Sequence, residues 1–282
     1  QMSNPKQLRK IGTRNWRKVK QRKVRLTEVC MNLQNKTFIK GVICNFVLVA
    51  QLIFIGQAYS AGPVGKIDNV DFSFEGVFGT YDKKQLQRGL QVFTEVCAGC
   101  HGLTHVAYRN LGDKGGPELP PEQVKAYAAQ FDVYDPDIDD DRSAVPSDYF
   151  SGSMVENAPN LSLMAKARVG GAEYIVSLLK SYTEEEKEQA GSVLYGNKLY
   201  PGGWIAMSQP LWGDDVEYMD GTEATLQQEA EDVAAFLMWA AEPKLNVRKE
   251  TGFRAVLLLL LLSVLLYFTN KKLWAPHKYK KV

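Results

Sequence analysis

The feature that most restricts this 282-residue chain is the run Cys97-Ala98-Gly99-Cys100-His101. A C-x-x-C-H run is an attachment site for c-type haem: the two thiols add to the macrocycle's vinyl groups, and the adjacent imidazole becomes an axial ligand of the iron. A chain carrying it must fold around a large planar group. Rival readings need other residues. A structural zinc site wants four Cys or His ligands, usually in two separated pairs, and the sequence supplies no second pair. A thioredoxin-like motif sits in a βαβ pattern, which the chain does not show.

Charge divides the chain in three. Residues 1–60 carry +11, residues 61–250 carry −15 and residues 251–282 carry +6. A middle region this acidic is a poor nucleic-acid binder and suits a basic partner. Of the four cysteines, Cys30 and Cys44 fall in the first sixty residues, so cysteine count is silent on compartment.

The leader speaks to it instead. Met31 is the expected start; Lys36 and Lys40 precede an apolar stretch from Gly41 to Gly56, and Ala58-Tyr59-Ser60 makes a small-x-small cleavage signal before Ala61. That is the form of a secretory signal peptide. An uncleaved anchor, or a basic arm over 6–25, is the other reading. Residues 1–60 are therefore expected to be a basic extension and signal peptide, 61–243 an exported domain, and 244–282 an anchor and tail.

Within the exported part, Asp82 reads as the N-cap of a helix, with Gln85 three residues on. Leu86, Leu90, Phe93 and Cys97 recur on one face, so this helix is expected to deliver the attachment run. Gly89, on the same face, suits close approach by another helix. Residues 111–160 show little periodicity. Six aspartates fall between Asp132 and Asp141, a solvated loop or a docking patch. Short helices are expected over 161–169 and from Glu173 to Tyr182, and a Gly-, Pro- and Trp-rich loop over 195–213. Thr225 caps a long helix with Gln228 completing the box, and Pro243 must end it or begin the next.

From Thr251 to Asn270 the chain is almost wholly apolar, with eight leucines between Ala255 and Leu266. Twenty residues at about 1.5 Å each match a hydrocarbon core of roughly 30 Å. Arg254 can snorkel at one end, while Lys271, Lys272 and Trp274 suit the other interface. The flanking charges are too even to orient the span. The leader orients it, putting the acidic domain outside and the Lys-rich tail in the cytoplasm.

For the sixth iron position, His105 lies one turn beyond His101; on a continuing helix both rings would lie on one side of the iron. His277 is in the tail. Met238 belongs to the long helix, which leaves Met207 in its Gly/Pro-rich loop, Met164 in a short helix, or an open site. Loop placement favours Met207, although either Met could simply fill a core gap. A thioether opposite an imidazole raises the potential and closes the iron to small ligands, which points to electron transfer. A haem peroxidase or gas sensor would need the position open.

Several segments together resemble the cytochrome c1 family: the attachment run, Val106-Ala107-Tyr108-Arg109, Ala165-Lys166-Ala167-Arg168-Val169-Gly170-Gly171, Ile205-Ala206-Met207, Asp220-Gly221-Thr222, and above all Asp232 to Pro243 just ahead of a single span. The resemblance covers roughly residues 70–280. It implies a mainly α fold, a class I-like c-type cytochrome domain with long irregular loops plus one C-terminal transmembrane helix. It implies one covalent haem c on Cys97 and Cys100, His101 and Met207 as axial ligands, Arg168 on a haem propionate, and Tyr108 and Arg109 in the haem surroundings. It also implies work in a bc1 complex in a bacterial inner membrane, dimeric, with cytochrome b, a Rieske iron–sulfur protein as donor and a basic cytochrome c as acceptor. A free membrane-anchored cytochrome c serving a terminal oxidase is the alternative. Two departures stand out: Pro159-Asn160-Leu161-Ser162 where the family commonly has Pro-Asp-Leu-Ser after a longer approach, and no cysteine pair beyond the haem thiols within residues 70–280.

Overall fold

A computed structural model of the protein describes residues 65–189 and 191–278, with side chains up to residue 275. The expected signal peptide and cleavage point lie outside the described residues, as does the His277 side chain.

The domain is built around one helix. α1 (Lys83–Val92), α2 (Pro121–Ala128), α3 (Met164–Ala167) and α4 (Gly171–Lys180) precede α5 (Leu226–Ala241), against which α1, α3 and α4 all pack. α5 is covered nearly all round: Ala230, Val233, Ala234, Ala235, Phe236, Leu237, Trp239 and Ala240 are all buried. Its alanines let neighbours approach, and its large side chains fill the remaining space. Phe93 and Phe236, at 5.7 Å between ring centroids, join α1 to α5 through the middle of the core.

Gly89 does what its position on α1 suggests. A Cβ there would stand 2.0 Å from the Asp232 carbonyl oxygen and 2.7 Å from the Phe236 Cβ. Only glycine lets the two backbones approach this closely.

Both expected caps form. The Asp82 side chain accepts from Gln85 N at 3.0 Å, and Thr225 Oγ1 accepts from Gln228 N at 3.3 Å. Half of the second capping box is diverted: Gln228 Nε2 donates to Asp232 Oδ1 at 3.0 Å, one turn on.

Two small sheets were not legible in the sequence. β1 (Asp132–Asp135) and β2 (Asp140–Ser143) form an antiparallel hairpin through the aspartate run. Arg142 reaches Asp135 and Asp148, both at 2.7 Å, so part of that charge is neutralised in place. β3 (Tyr182–Gln189) pairs with β4 (Ser192–Asn197), and β4 with β5 (Trp204–Ile205). α4 begins and ends about one turn's fraction ahead of the expected span from Glu173 to Tyr182, because Tyr182 already opens β3. The helix over 161–169 contracts to the single turn of α3.

α5 ends at Ala241, ahead of Pro243. α6 (Leu245–Lys278) then runs as one helix, long and apolar enough to cross a membrane. Tyr81 secures the joint: its hydroxyl donates to the carbonyls of Met238 (3.2 Å) and Glu242 (3.1 Å), and its N–H to Asn246 Oδ1 (3.2 Å). The Glu242 carboxylate accepts from Lys166 at 2.6 Å and from Arg248, tying α3 and α6 to the same corner.

One buried group makes stability pH-dependent. The Glu229 side chain is buried, with Oε1 accepting from Asp215 N at 2.9 Å and Oε2 without a partner among the described residues. Burial, with the Asp215 carboxyl beside it, pushes the Glu229 carboxyl up from an ordinary 4.5 to about 7. A raised carboxyl favours folding below its unfolded value, and that contribution is lost as pH rises through the folded one. Stability should therefore fall between about pH 4.5 and about pH 7, and Glu229→Gln should flatten that slope. Thermal melts of the haem-loaded protein across the window check this; equal slopes in the two proteins would rule it out.

Candidate functional site

The attachment run begins where α1 changes pitch. α1 stops at Val92 and a π turn, Phe93–Cys97, replaces the expected α continuation. Ala98 N bonds the Phe93 carbonyl at 2.8 Å, five residues back. Such turns are rare and recur at functional sites. A turn then closes the run, with Cys100 N and His101 N both bonding the Cys97 carbonyl, at 3.1 and 2.9 Å. Both thiols are free; Cys97 is half-buried and Cys100 exposed. Burial pushes the Cys97 thiol up to about 12.

A second segment straps across the turn. Met154 N bonds the Cys100 carbonyl (3.2 Å), Leu103 N the Ser151 carbonyl (3.2 Å) and Leu161 N the Gly102 carbonyl (2.9 Å). Gly102 permits the approach, since a Cβ there would meet Ser151 O and the Gly152 carbonyl carbon at 2.4 Å. At the centre, His101 Nδ1 lies 2.8 Å from the Pro159 carbonyl oxygen. A carbonyl only accepts, so Nδ1 carries the proton, and in the neutral ring Nε2 then keeps its lone pair. That is the tautomer a metal-ligating histidine needs, held by the outer hydrogen bond that fixes such rings.

Asn160 belongs to this strap. Its Nδ2 donates to Thr104 Oγ1 at 2.8 Å and its Oδ1 accepts from Ser162 N at 2.9 Å. An ionised aspartate could make the second bond but could not donate the first, so the asparagine's amide supplies a tie between strap and turn.

The helix does not run on through His101, so the same-face argument about His105 does not apply. His105 is exposed in a turn, with Nδ1 3.2 Å from Thr104 Oγ1 and its N–H held by Ser162 Oγ at 3.1 Å. Met207, Met164 and Met238 are all half-buried against the core. Met207 follows β5, whose residues pair with β4 (Ile205 with Tyr195, Trp204 with Gly196), and its carbonyl accepts from Tyr182 Oη at 3.1 Å. The sheet thus gives the Met207 backbone a fixed platform. Met164 opens α3, and Met238 lies on α5 beside the joint to α6.

Arg168 follows α3. It is exposed, makes no ion pair among the described residues and acts electrostatically on Tyr174 of α4. In a domain this acidic, an arginine without a carboxylate partner is available to an external one. Tyr108 is fully buried among aromatic rings, 4.4 Å from Phe150 and 5.5 Å from Phe131 between centroids. Its hydroxyl has no partner among the described residues. Burial raises the Tyr108 phenol to about 12. Arg109, next to it, is exposed, with Nη1 3.5 Å from the Ser147 carbonyl.

These residues suit a covalently held haem: two thiols, an imidazole with a free Nε2, and exposed apolar side chains at Met154, Val155, Leu163 and Val169 around the strap. Sequence reasoning did not single out Pro159 or Tyr182 for these contacts. The first acts through its carbonyl, which every residue possesses, and the second across a chain reversal; no side-chain pattern announces either.

The sequence profile of the Cytochrome C1 family matches residues 72–277. A cytochrome c1 of Cereibacter sphaeroides is 50% identical over an alignment covering 80% of this chain and 93% of that protein. A protein of Saccharomyces cerevisiae named cytochrome c1, heme protein, mitochondrial, is 40% identical, with 74% of this chain and 72% of that one covered. A Bradyrhizobium diazoefficiens protein named cytochrome b/c1 is 37% identical over 72% of this chain and 35% of its own length.

Proposed function

Since the chain belongs to the cytochrome c1 family, we propose that it is the haem subunit of a ubiquinol–cytochrome c oxidoreductase (bc1) complex, taking one electron from a Rieske iron–sulfur protein and passing it to a cytochrome c. The observation that carries this reading is the hydrogen bond between His101 Nδ1 and the Pro159 carbonyl, which prepares the ring for iron. When bound, the haem supplies a centre that accepts and releases one electron. Cys97 and Cys100 would hold it covalently, with the His101 imidazole and the Met207 thioether as the candidate ligands of its iron. Tyr182, through the Met207 carbonyl, limits how far that thioether can drift. Arg168 holds a propionate, offsetting a negative charge that the acidic surroundings would otherwise repel.

The surface supports a basic acceptor. Glu184, Glu185 and Glu188 stand exposed along β3, and the β1–β2 hairpin adds its aspartates. Association with a basic partner should be fast at low salt and weaken as ionic strength rises. Residues 61–243 form the haem domain on the periplasmic side, and 244–282 the anchor and cytoplasmic tail, in a bacterial inner membrane. The Bradyrhizobium relative, whose name joins b and c1 in one protein, supports cytochrome b as a neighbour, within a complex we take to be dimeric.

Extraction in mild detergent tests this. The chain is expected to keep haem through denaturing electrophoresis and to bring down a cytochrome b and a Rieske protein. Its oxidation by a basic cytochrome c is expected to slow as salt rises. Haem without those companions would favour the free membrane-anchored shuttle, and no covalent haem would overturn the site.

A further inference from the structure

Ahead of α1 the chain makes a tight reversal that the haem does not explain. Phe72 and Phe74 are buried and stacked, 4.8 Å between centroids, and Thr80 N bonds the Ser73 carbonyl at 3.0 Å. The tip between them is Val77-Phe78, 69% and 74% exposed. Two observations tie this tip to α6. Lys249 Nζ donates to the carbonyls of Phe74 (2.6 Å), Gly76 (2.6 Å) and Gly79 (3.2 Å), committing all its N–H groups to the loop's neck. The Phe78 ring meets Phe253 edge-on at 5.3 Å between centroids.

From these contacts we infer that Val77 and Phe78 form a second membrane anchor, seated at the boundary between lipid headgroups and acyl chains beside the start of α6. The inference rests on the reading of α6 as a membrane span. Phe253 lies two residues inside the apolar run that begins at Thr251, about 3 Å deep at the helical rise. A ring packed against it shares its depth. At that level an exposed apolar side chain such as Phe is favoured, whereas exposed backbone carbonyls must find donors; Lys249 supplies them. A two-residue tip is also far too small for a stable protein interface, which buries about 1,200 Å² or more. The lipid contact would limit rocking of the haem domain about the short joint at Pro243 and Lys244, and so narrow the orientations its acidic face presents.

Nitroxide labels distinguish the possibilities. Phe78→Cys, Leu260→Cys in mid-span and Val193→Cys on the β3–β4 hairpin would each be labelled in the full haem-loaded chain, in phosphatidylcholine nanodiscs with the haem reduced. The readout is collision with oxygen relative to a water-soluble nickel chelate. The ratio at position 78 is expected to exceed that at 193 severalfold and to approach that at 260. A label at 78 as open to nickel as that at 193 would place the tip in water, and one shielded from both reagents would place it under protein; either overturns the inference. A nickel-accessible label at 260 would instead overturn the membrane span.

Discussion

Met207→Leu is expected to lower the reduction potential by a few tenths of a volt, within the roughly 0.8 V that axial ligation commands in haem proteins. The soft thioether favours the ferrous state, and leucine cannot replace it. Loss of the sixth ligand should also let carbon monoxide bind the reduced protein readily and shift the spectrum from low towards high spin. The fold should survive, because exchanging Met for Leu preserves volume and costs less than about 1.5 kcal/mol. Met164→Leu is the matched control. Met164 is equally half-buried against the core, so its replacement should leave potential, spectrum and carbon monoxide response unchanged. An unaltered low-spin spectrum in Met207→Leu would remove Met207 from the iron, and a changed one in Met164→Leu would transfer the role.

Arg88→Ala should produce the largest loss of stability. Asp232 is fully buried on α5 and is gripped by Arg88 through two bonds, Nε to Oδ2 at 2.8 Å and Nη2 to Oδ1 at 3.0 Å. Arg88 Nη1 also holds Asp220 at 3.0 Å, so one guanidinium joins α1, α5 and the loop before α5. Removing it strands a carboxylate in the interior, at a cost of about 3–5 kcal/mol. For a domain of this size that corresponds to a melting temperature lower by roughly 6–20 °C. Calorimetry of the haem-loaded protein reads the shift. Removing both charges, with Arg88→Met and Asp232→Leu together, should recover most of it, since the penalty comes from the unpaired charge. A drop below about 2 °C in Arg88→Ala would mean that water reaches Asp232.

The same pair shows what a sequence can and cannot announce. Gly89 on α1 and the run from Asp232 to Pro243 were both noticeable, yet nothing along the chain says that Arg88 meets Asp232, 144 residues away. The caps at Asp82 and Thr225 were legible because capping is local. The end of the long helix before Pro243 was legible because proline excludes helix interiors. β3 was hidden because four of its eight residues are glutamates, so no apolar alternation marks it.

The sequence alone announced the expected chemistry of attachment, the central helix and the apolar span. Each is written in residue type at short spacing, where thiols, caps and unbroken leucines act on their neighbours. Only the tertiary structure decided the π turn in which the attachment run begins, the Pro159 carbonyl that sets the His101 tautomer, the sheet behind Met207, and the loop that Lys249 fastens to α6. Those depend on backbone groups common to all residues and on contacts between distant segments, which become specific only when the chain has closed on itself.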